Sequence, residues 1–263
     1  MILAIDIENT RISIGCAVAE GIRFIERIST NLERTDLEYA VSIRTILELN
    51  HVKASELEGS IVCSVVPQLN HTIREAIRKA TGLEKILTVG PGVRTGLNIQ
   101  IDDPAKLGSD LAVNAVAAIA EYPLPLVVVN LGACTTFSVI NEKGAYIGGS
   151  ILPGIQTSMD AMIQNAAQLP YVSLDEPGRL IGKNTQECIR SGYRYGNAAM
   201  IDGMLDLIAK ELTAEPTVVA TGDMAPSILP YCRHTICMDE GLLLKGLAII
   251  YRKNAGTEKA GRK

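Results

Sequence analysis

"LAIDIENTRISIGCAV", residues 3–18, is an apolar run ending at Asp6, a short polar turn and a second apolar run. The pattern predicts two strands joined by a tight turn, both largely buried because their residues are mostly apolar. Within the turn "DIENT" (6–10), Asp6 offers a carboxylate for a metal, and Asn9 and Thr10 offer hydrogen-bonding groups. A turn of this kind grips phosphate through backbone N–H groups and hydroxyls. Glu8 lies inside it and adds a further negative charge. The same residues also suit an ordinary hairpin turn, in which Asp and Asn bond to their own backbone.

The stretch returns after a shift of 124 residues, as "LVVVNLGACTTFSVINEKGAYIGGSIL" (126–152). Asp6 falls on Asn130 and Glu8 on Gly132, and both copies continue into a third strand. A weaker echo links "SIVCSVVPQ" (60–68) with "TVVATGDMA" (217–225). A period this long argues for a duplicated domain rather than a solenoid, whose repeats run about 20–50 residues. The chain of 263 residues is long enough for two such lobes. The expected division is 1–122 and 123–263, with the join around Tyr122–Pro125 and a cleft between the lobes.

Helical segments with readable ends lie between the strands. Thr35 and Glu38 form a capping box ahead of "DLEYAVSIRTILEL". Asn70 is the expected cap of "HTIREAIRKAT", and Gly82 its expected stop. Asp103 and Pro104 are expected to start one helix through "PAKLGSDLAVNAVAAIAEY". "EGLLLKGLAIIYRK" is a last amphipathic helix, and the tail "RKNAGTEKAGRK" (252–263) reads as frayed and solubilising.

Composition narrows the function classes. Aromatics are 4% of the chain and Trp is absent, against 47% hydrophobic residues overall, which disfavours a base-stacking nucleic-acid binder. A formal charge of −4 supplies no basic field for nucleic acid or anionic lipid. The N-terminal apolar run stops at Asp6, unlike a signal peptide, and no apolar run approaches a membrane span. Six scattered cysteines are expected to be reduced thiols in a soluble cytoplasmic protein. Cys232, His234 and Cys237 lack paired-ligand spacing, so no zinc site is expected.

Two further segments could carry chemistry. "PGVRTGLNIQIDDPAKLGSD" (91–110) brings a Gly/Pro-directed loop to a carboxylate at a helix start. Asp110 shares a helix face with Asn114 and could serve as general base toward a hydroxyl, or be a plain surface aspartate. "GGSILPG" (148–154) lets a ligand or backbone approach closely, without identifying either. In the second hairpin, Thr135 and Thr136 could donate to phosphate as Thr10 could in the first.

In order and spacing, these motifs, with "SVVP" (64–67), "VGPGVRTGLNI" (89–99), "GSDLAVNAVAA" (108–118), "NLGACTTF" (130–137), "GGSILPGI" (148–155) and "GKNTQECIRSGYRYG" (182–196), resemble the type III pantothenate kinases. The resemblance runs nearly end to end. It implies an α/β fold of duplicated actin-like lobes, of the acetate and sugar kinase/Hsc70/actin superfamily. It also implies ATP-dependent phosphorylation of pantothenate in coenzyme A biosynthesis, with Mg²⁺ and a monovalent cation, K⁺ or NH₄⁺, in a dimer whose pantothenate site lies at the subunit interface. By position, Asp110 would be the general base, and Asp6 would serve the metal and phosphates with Asn9 and Thr10. Gly132, Cys134, Thr135, Thr136 and Gly222 would lie on the nucleotide side, with Asn130 at the cation. Gly92, Thr95, Gly96 and Gly108 would shape the pantothenate pocket, and Thr157 would reach the acceptor site of the neighbouring subunit.

Four positions depart from the family pattern. Glu8 replaces the glycine of Asp-x-Gly-Asn-Thr. At about 5 Å and an effective dielectric of about 20, one like-charge pair there costs ~3 kcal/mol. Leu111 replaces the arginine expected to pair with the pantothenate carboxylate, and Asn130 replaces an aspartate. Asp223 replaces the last glycine of an Ala-Thr-Gly-Gly pattern. Three readings accommodate these departures. They are an active kinase with a remodelled site, one subunit of a mixed kinase completed by an intact paralogue, and a non-catalytic regulatory or ligand-sensing protein on the kinase scaffold.

Overall fold

A computed structural model describes residues 1–166, 168–173 and 179–255. Two compact units divide the chain. One comprises Met1–Leu97, Asp102–Glu121 and the described residues from Gly241 onward; the other comprises Asn98–Ile101 and Tyr122–Glu240.

In the first unit, β1 (Ile2–Ile7), β2 (Arg11–Val18), β3 (Gly21–Ser29), β4 (Gly59–Ser64) and β5 (Ile86–Thr88) form one sheet in the order β3-β2-β1-β4-β5. β1 runs antiparallel to β2 and parallel to β4, with Asp6 paired to Ser13 on one side and to Cys63 on the other. Strand alternation sends Leu3, Ile5 and Ile7 into one core, with Tyr39, Ile43 and Leu47 of α1 (Asp36–Leu49) and Ile73 and Ile77 of α2 (Asn70–Thr81). Ile2 and Ala4 face the opposite core, with Val113 and Val116 of α3 (Ser109–Glu121). That core closes on the last helix among the described residues, Leu242–Ala255, through Leu244, Leu247 and Ile250. β1 is therefore covered on both faces, which is why its sequence reads as an almost unbroken apolar run. A side chain at Gly246 of the last helix would strike the Val113 carbonyl, so glycine permits the close crossing with α3.

Several local expectations meet the structure differently. The capping box forms: Glu38 N–H donates to Thr35 Oγ1 at 3.3 Å, and Thr35 N–H donates to Glu38 Oε2 at 2.7 Å. Gly82 ends α2 in the left-handed region, at φ 74°. Asn70, however, is already helical and caps nothing, because Pro67 starts a 3₁₀ turn, Pro67–Leu69, that runs straight into α2. The helix expected from Pro104 is broken. Asp103 caps a single turn, Pro104–Lys106, Leu107 is extended, and α3 begins only at Ser109. The last helix, counted with the second lobe in the sequence, belongs to the first unit. Residues 252–255 are not frayed: Arg252 donates to the Val18 carbonyl at 2.6 Å and Lys253 to that of Thr95 at 3.1 Å. The rest of the tail, 256–263, lies outside the described residues.

The second unit repeats the plan. β7 (Leu126–Leu131), β8 (Cys134–Ile140), β9 (Ala145–Pro153), β10 (Thr217–Thr221) and β11 (Cys237–Met238) lie in the order β11-β10-β7-β8-β9, with β6 (Asn98–Ile99) added beside β9. Asn130 pairs with Thr136 and with Thr221, as Asp6 pairs with Ser13 and Cys63. Val127, Val129 and Leu131 pack on Ile155 and Met159 of α4 (Ile155–Asn165) and Ile201 and Leu205 of α6 (Asn197–Glu211). Between α4 and α6 lies α5 (Thr185–Ser191); α7 (Ala225–Ile228) follows β10, so the last helix is α8. Among the described residues, no helix is long and apolar enough to cross a membrane.

Candidate active site

Asp6 sits at the end of β1 on the face that carries Ile2 and Ala4, toward the core containing α3 and α8. Its side chain is 4% exposed, and its Oδ1 has no hydrogen-bond partner. Burial pushes its carboxyl well above the usual carboxylate range, and the charges of Glu8 and Asp110 push the same way, against a smaller lowering by the Cys63 thiol. Cys63 Sγ lies 3.4 Å from Ser109 Oγ, which donates in turn to the Ser64 carbonyl at 3.4 Å. This chain of contacts ties the end of β4 to the first residue of α3. Asp110 is the next residue, half-buried, and burial raises its carboxyl despite the N–H groups of Leu111 and of Asp110 itself. The break at Leu107 and Gly108 is what leaves Asp110 in a first helical turn rather than mid-helix. A Cβ on Gly108 would lie 2.7 Å from Asp110 Oδ1, so the glycine keeps that carboxylate's place clear.

The first hairpin turn is fixed by its backbone. Glu8 N–H donates to the Arg11 carbonyl at 2.9 Å, Thr30 Oγ1 to that of Glu8 at 2.7 Å, and Thr30 N–H to that of Thr10 at 3.0 Å. Asn9 and Thr10 are exposed at its tip. In the loop 89–97, Gly92 (φ 88°) and Gly96 (φ 75°) both take left-handed backbone. Thr95 Oγ1 accepts the Leu97 N–H at 3.2 Å, so that hydroxyl serves its own loop. Asn254 clamps the loop, accepting from Arg94 N–H at 3.2 Å and donating to its carbonyl at 3.0 Å. These α8 contacts have no local sequence signal, since the loop and α8 lie far apart in the chain.

In the second unit, Asn130 is buried at the matching strand end, and a Cβ on Gly222 would lie 2.7 Å from its Oδ1. Gly222 takes φ 99° and bonds its carbonyl to Ala225 N–H at 3.1 Å, while Met224 N–H reaches the Leu131 carbonyl at 3.1 Å. Thr135 and Thr136 are buried with unpartnered hydroxyls, and Cys134 is exposed. Gly132 N–H bonds to the Cys134 carbonyl at 3.2 Å, closing the turn. Thr157 Oγ1 donates to Ala133 O at 3.1 Å, which anchors the start of α4 to that turn. His234 is held between Asp202 and Asp206, at 3.1 Å on each ring nitrogen, and Cys232 Sγ faces the Ile228 carbonyl.

Each unit thus gathers part of the expected set: Asp6, Gly108 and Asp110 in one, and Asn130, Thr136 and Gly222 in the other. No local pattern marks Cys63 or Ser109 as a site neighbour: the β1/β4 register brings Cys63 beside Asp6, and the approach of α3 to the end of β4 brings Ser109 to Cys63. Asn114, on the face of Asp110, is 1% exposed with an unpartnered Oδ1. Among the described residues, no three His, Cys, Asp or Glu side chains converge to hold a metal unaided. The orphaned Asp6 Oδ1 does fit Mg²⁺, which is commonly bound through one or two carboxylates with substrate phosphates and water completing its shell.

The family model described as type III pantothenate kinase matches residues 2–207. The chain is 38% identical over 254 residues to the type III pantothenate kinase of Moorella thermoacetica, covering 97% of this chain and 100% of that one. The corresponding protein of Exiguobacterium sp. is 39% identical, with 97% and 99% covered. Among solved structures, the fold is similar to the activator of 2-hydroxyisocaproyl-CoA dehydratase from Clostridium difficile with bound ADPNP (TM-score 0.58, 11% identity, 100% and 97% covered). It is also similar to component A of (R)-2-hydroxyglutaryl-CoA dehydratase from Acidaminococcus fermentans (TM-score 0.58, 15% identity, 97% and 98% covered). These likenesses show an actin-like α/β fold. By the family match and the near-complete coverage of its relatives, the chain belongs to the type III pantothenate kinase family of ATP-dependent kinases.

Proposed function

We propose that this protein transfers the γ-phosphoryl group of ATP to the hydroxyl of pantothenate, giving 4′-phosphopantothenate for coenzyme A biosynthesis in the cytoplasm. The observation that carries the reading is Asp110, held half-buried at the first turn of α3 with its carboxyl raised by burial. A carboxylate tuned upward is a better proton acceptor near neutral pH. The pantothenate hydroxyl oxygen forms the new bond to phosphorus, ADP leaves with the old bridging oxygen, and Asp110 takes the hydroxyl proton. Gly108 keeps that carboxylate's position open, and the Cys63–Ser109–Ser64 contacts hold the helix start in place.

Asp6 would hold Mg²⁺, which when bound neutralises charge on the transferring phosphates. The hydroxyls of Thr10, Thr135 and Thr136 are assigned to the nucleotide, and the loop with Gly92, Thr95 and Gly96 to pantothenate. Asn130 would offer a monovalent cation its amide oxygen without a negative charge, which makes K⁺ dependence weaker than an aspartate would give. A homodimer places Thr157 toward a neighbour's acceptor site. A mixed dimer is the second reading, carried by Leu111, which puts no cation where a pantothenate carboxylate needs one. Pantothenate-dependent ADP release by the purified chain, with Mg²⁺ and K⁺, tests the proposal. Turnover supports it; no turnover, alone or with an intact paralogue, refutes it.

A further inference from the structure

The last turn of α8 reaches the loop 89–97 from about 160 residues away. Asn254 turns its whole amide onto one loop residue: Oδ1 accepts from Arg94 N–H at 3.2 Å, and Nδ2 donates to the Arg94 carbonyl at 3.0 Å. Lys253 Nζ donates to the next carbonyl, that of Thr95, at 3.1 Å. A Cβ on Gly96 would strike that ammonium group, so the glycine also makes room for Lys253. Asn254 is steadied by its own helix, since Nδ2 also donates to the Ile250 carbonyl at 2.8 Å.

The loop needs such a hold. Gly92 and Gly96 both take left-handed backbone, and glycine gives a free chain many other conformations to visit. Val93 and Leu97 anchor its apolar side on the core that contains Leu247 and Ile250 of α8. Asn254 supplies the polar side, pairing both backbone groups of Arg94 as a neighbouring strand would. Helix and loop lie in the same compact unit, so the clamp is carried by a packed element.

We propose that Asn254, assisted by Lys253, is a positioning residue for the phosphoryl acceptor: it holds the loop in its binding shape beforehand and so sets the affinity for pantothenate. The inference rests on the assignment of Gly92, Thr95 and Gly96 to pantothenate. A loop already ordered spares the ligand that ordering cost, and a loop only fractionally in the right shape weakens apparent affinity by that fraction. Once pantothenate saturates the site the loop is ordered again, so the effect falls on KM for the acceptor rather than on kcat.

The test compares the full-length wild type with Asn254→Asp, Asn254→Ala and Lys253→Met. Asn254→Asp keeps the side chain's shape but turns an oxygen, in place of the Nδ2 donor, toward the Arg94 and Ile250 carbonyls. Hydrogen exchange across 89–97 is followed against pantothenate concentration, with Mg²⁺ and a non-hydrolysable ATP analogue, and steady-state ADP release is measured separately. Both Asn254 variants are expected to need roughly tenfold more pantothenate for half-maximal protection, and Lys253→Met a smaller increase. KM for pantothenate should rise in step, while kcat and KM for ATP stay within about twofold. Unchanged pantothenate dependence in both Asn254 variants overturns the proposal, as does equal loss in kcat and both KM values. A wild-type loop that pantothenate does not protect overturns it too. Protection of the wild type without ADP release fails the phosphoryl-transfer reading alone, because the exchange measurement requires no turnover.

Discussion

Gly108→Ala isolates the position of one carboxylate. Gly108 is outside the left-handed region, so an alanine there strains no backbone. Its Cβ, however, would lie 2.7 Å from Asp110 Oδ1, and ordinary contact begins at 3.4 Å. The carboxylate must therefore move by about 0.7 Å. A displacement near 1 Å of a reacting group costs on the order of a hundredfold in rate. We expect kcat to fall roughly ten- to hundredfold, or about 1.4–2.7 kcal/mol in barrier. The melting temperature should change little, because the only close contact is a movable side-chain end. Steady-state ADP release gives the rate, and a double-mutant cycle with Asp110→Asn gives the route. If the alanine acts through Asp110, it costs nothing further once Asp110 is asparagine. A kcat equal to wild type, or a full additional loss in the double variant, refutes the role given to Gly108.

Three other outcomes follow from the same structure. Asp202 accepts the backbone N–H groups of Arg233 at 3.0 Å and His234 at 3.1 Å while nearly fully buried, so Asp202→Ala should cost about 3 kcal/mol. Burial alone would raise its carboxyl, but those N–H groups, the His234 ring and the Arg233 charge outweigh it and hold the group below the usual range. Its stabilisation is thus complete above the unfolded value of about 3.9 and is lost as pH falls through the lower folded value, so urea titrations should show the deficit shrinking in acid. Asp6 has the opposite sign: its raised carboxyl contributes stability at low pH that disappears as pH climbs. In metal-free buffer near pH 7.5, Asp6→Asn should be more stable than wild type by about 1 kcal/mol, and inactive; equal or lower stability there would argue against a strained Asp6. Gly222→Ala must adopt φ 99° and bring a Cβ to 2.6 Å from the Leu131 backbone, so calorimetry should show a loss of about 2 kcal/mol or more.

What the sequence disclosed was local or repeated. The capping box at Thr35 and the stop at Gly82 involve residues a few places apart, so their chemistry is visible in a short window. The duplication was legible because β1 and β7 are buried strands whose apolar runs recur with Asp6 and Asn130 at the same point. Failures came where partners are distant. Nothing near residue 242 says that α8 packs on Val113 and Ala4, so the helix was placed with the lobe nearest in sequence. Lys253 and Asn254 read as part of a frayed tail because their partners, Thr95 and Arg94, are about 160 residues away. Two prolines act differently from the helix-end patterns: Pro67 and Pro104 each start a 3₁₀ turn, so Asn70 lies inside its helix and the helix expected from Pro104 breaks before Ser109. The second break matters most, since it sets Asp110 at a helix start. Cys63 entered the site through its register with Asp6, which no local pattern encodes.

The most direct measurement is mass-spectrometric detection of phosphorylated pantothenate after incubating the purified chain with ATP, Mg²⁺, K⁺ and pantothenate, beside Asp110→Asn. The account predicts 4′-phosphopantothenate from the wild type and a loss of several orders of magnitude in the variant, with its fold intact. Product formed equally well without the Asp110 carboxylate would contradict it.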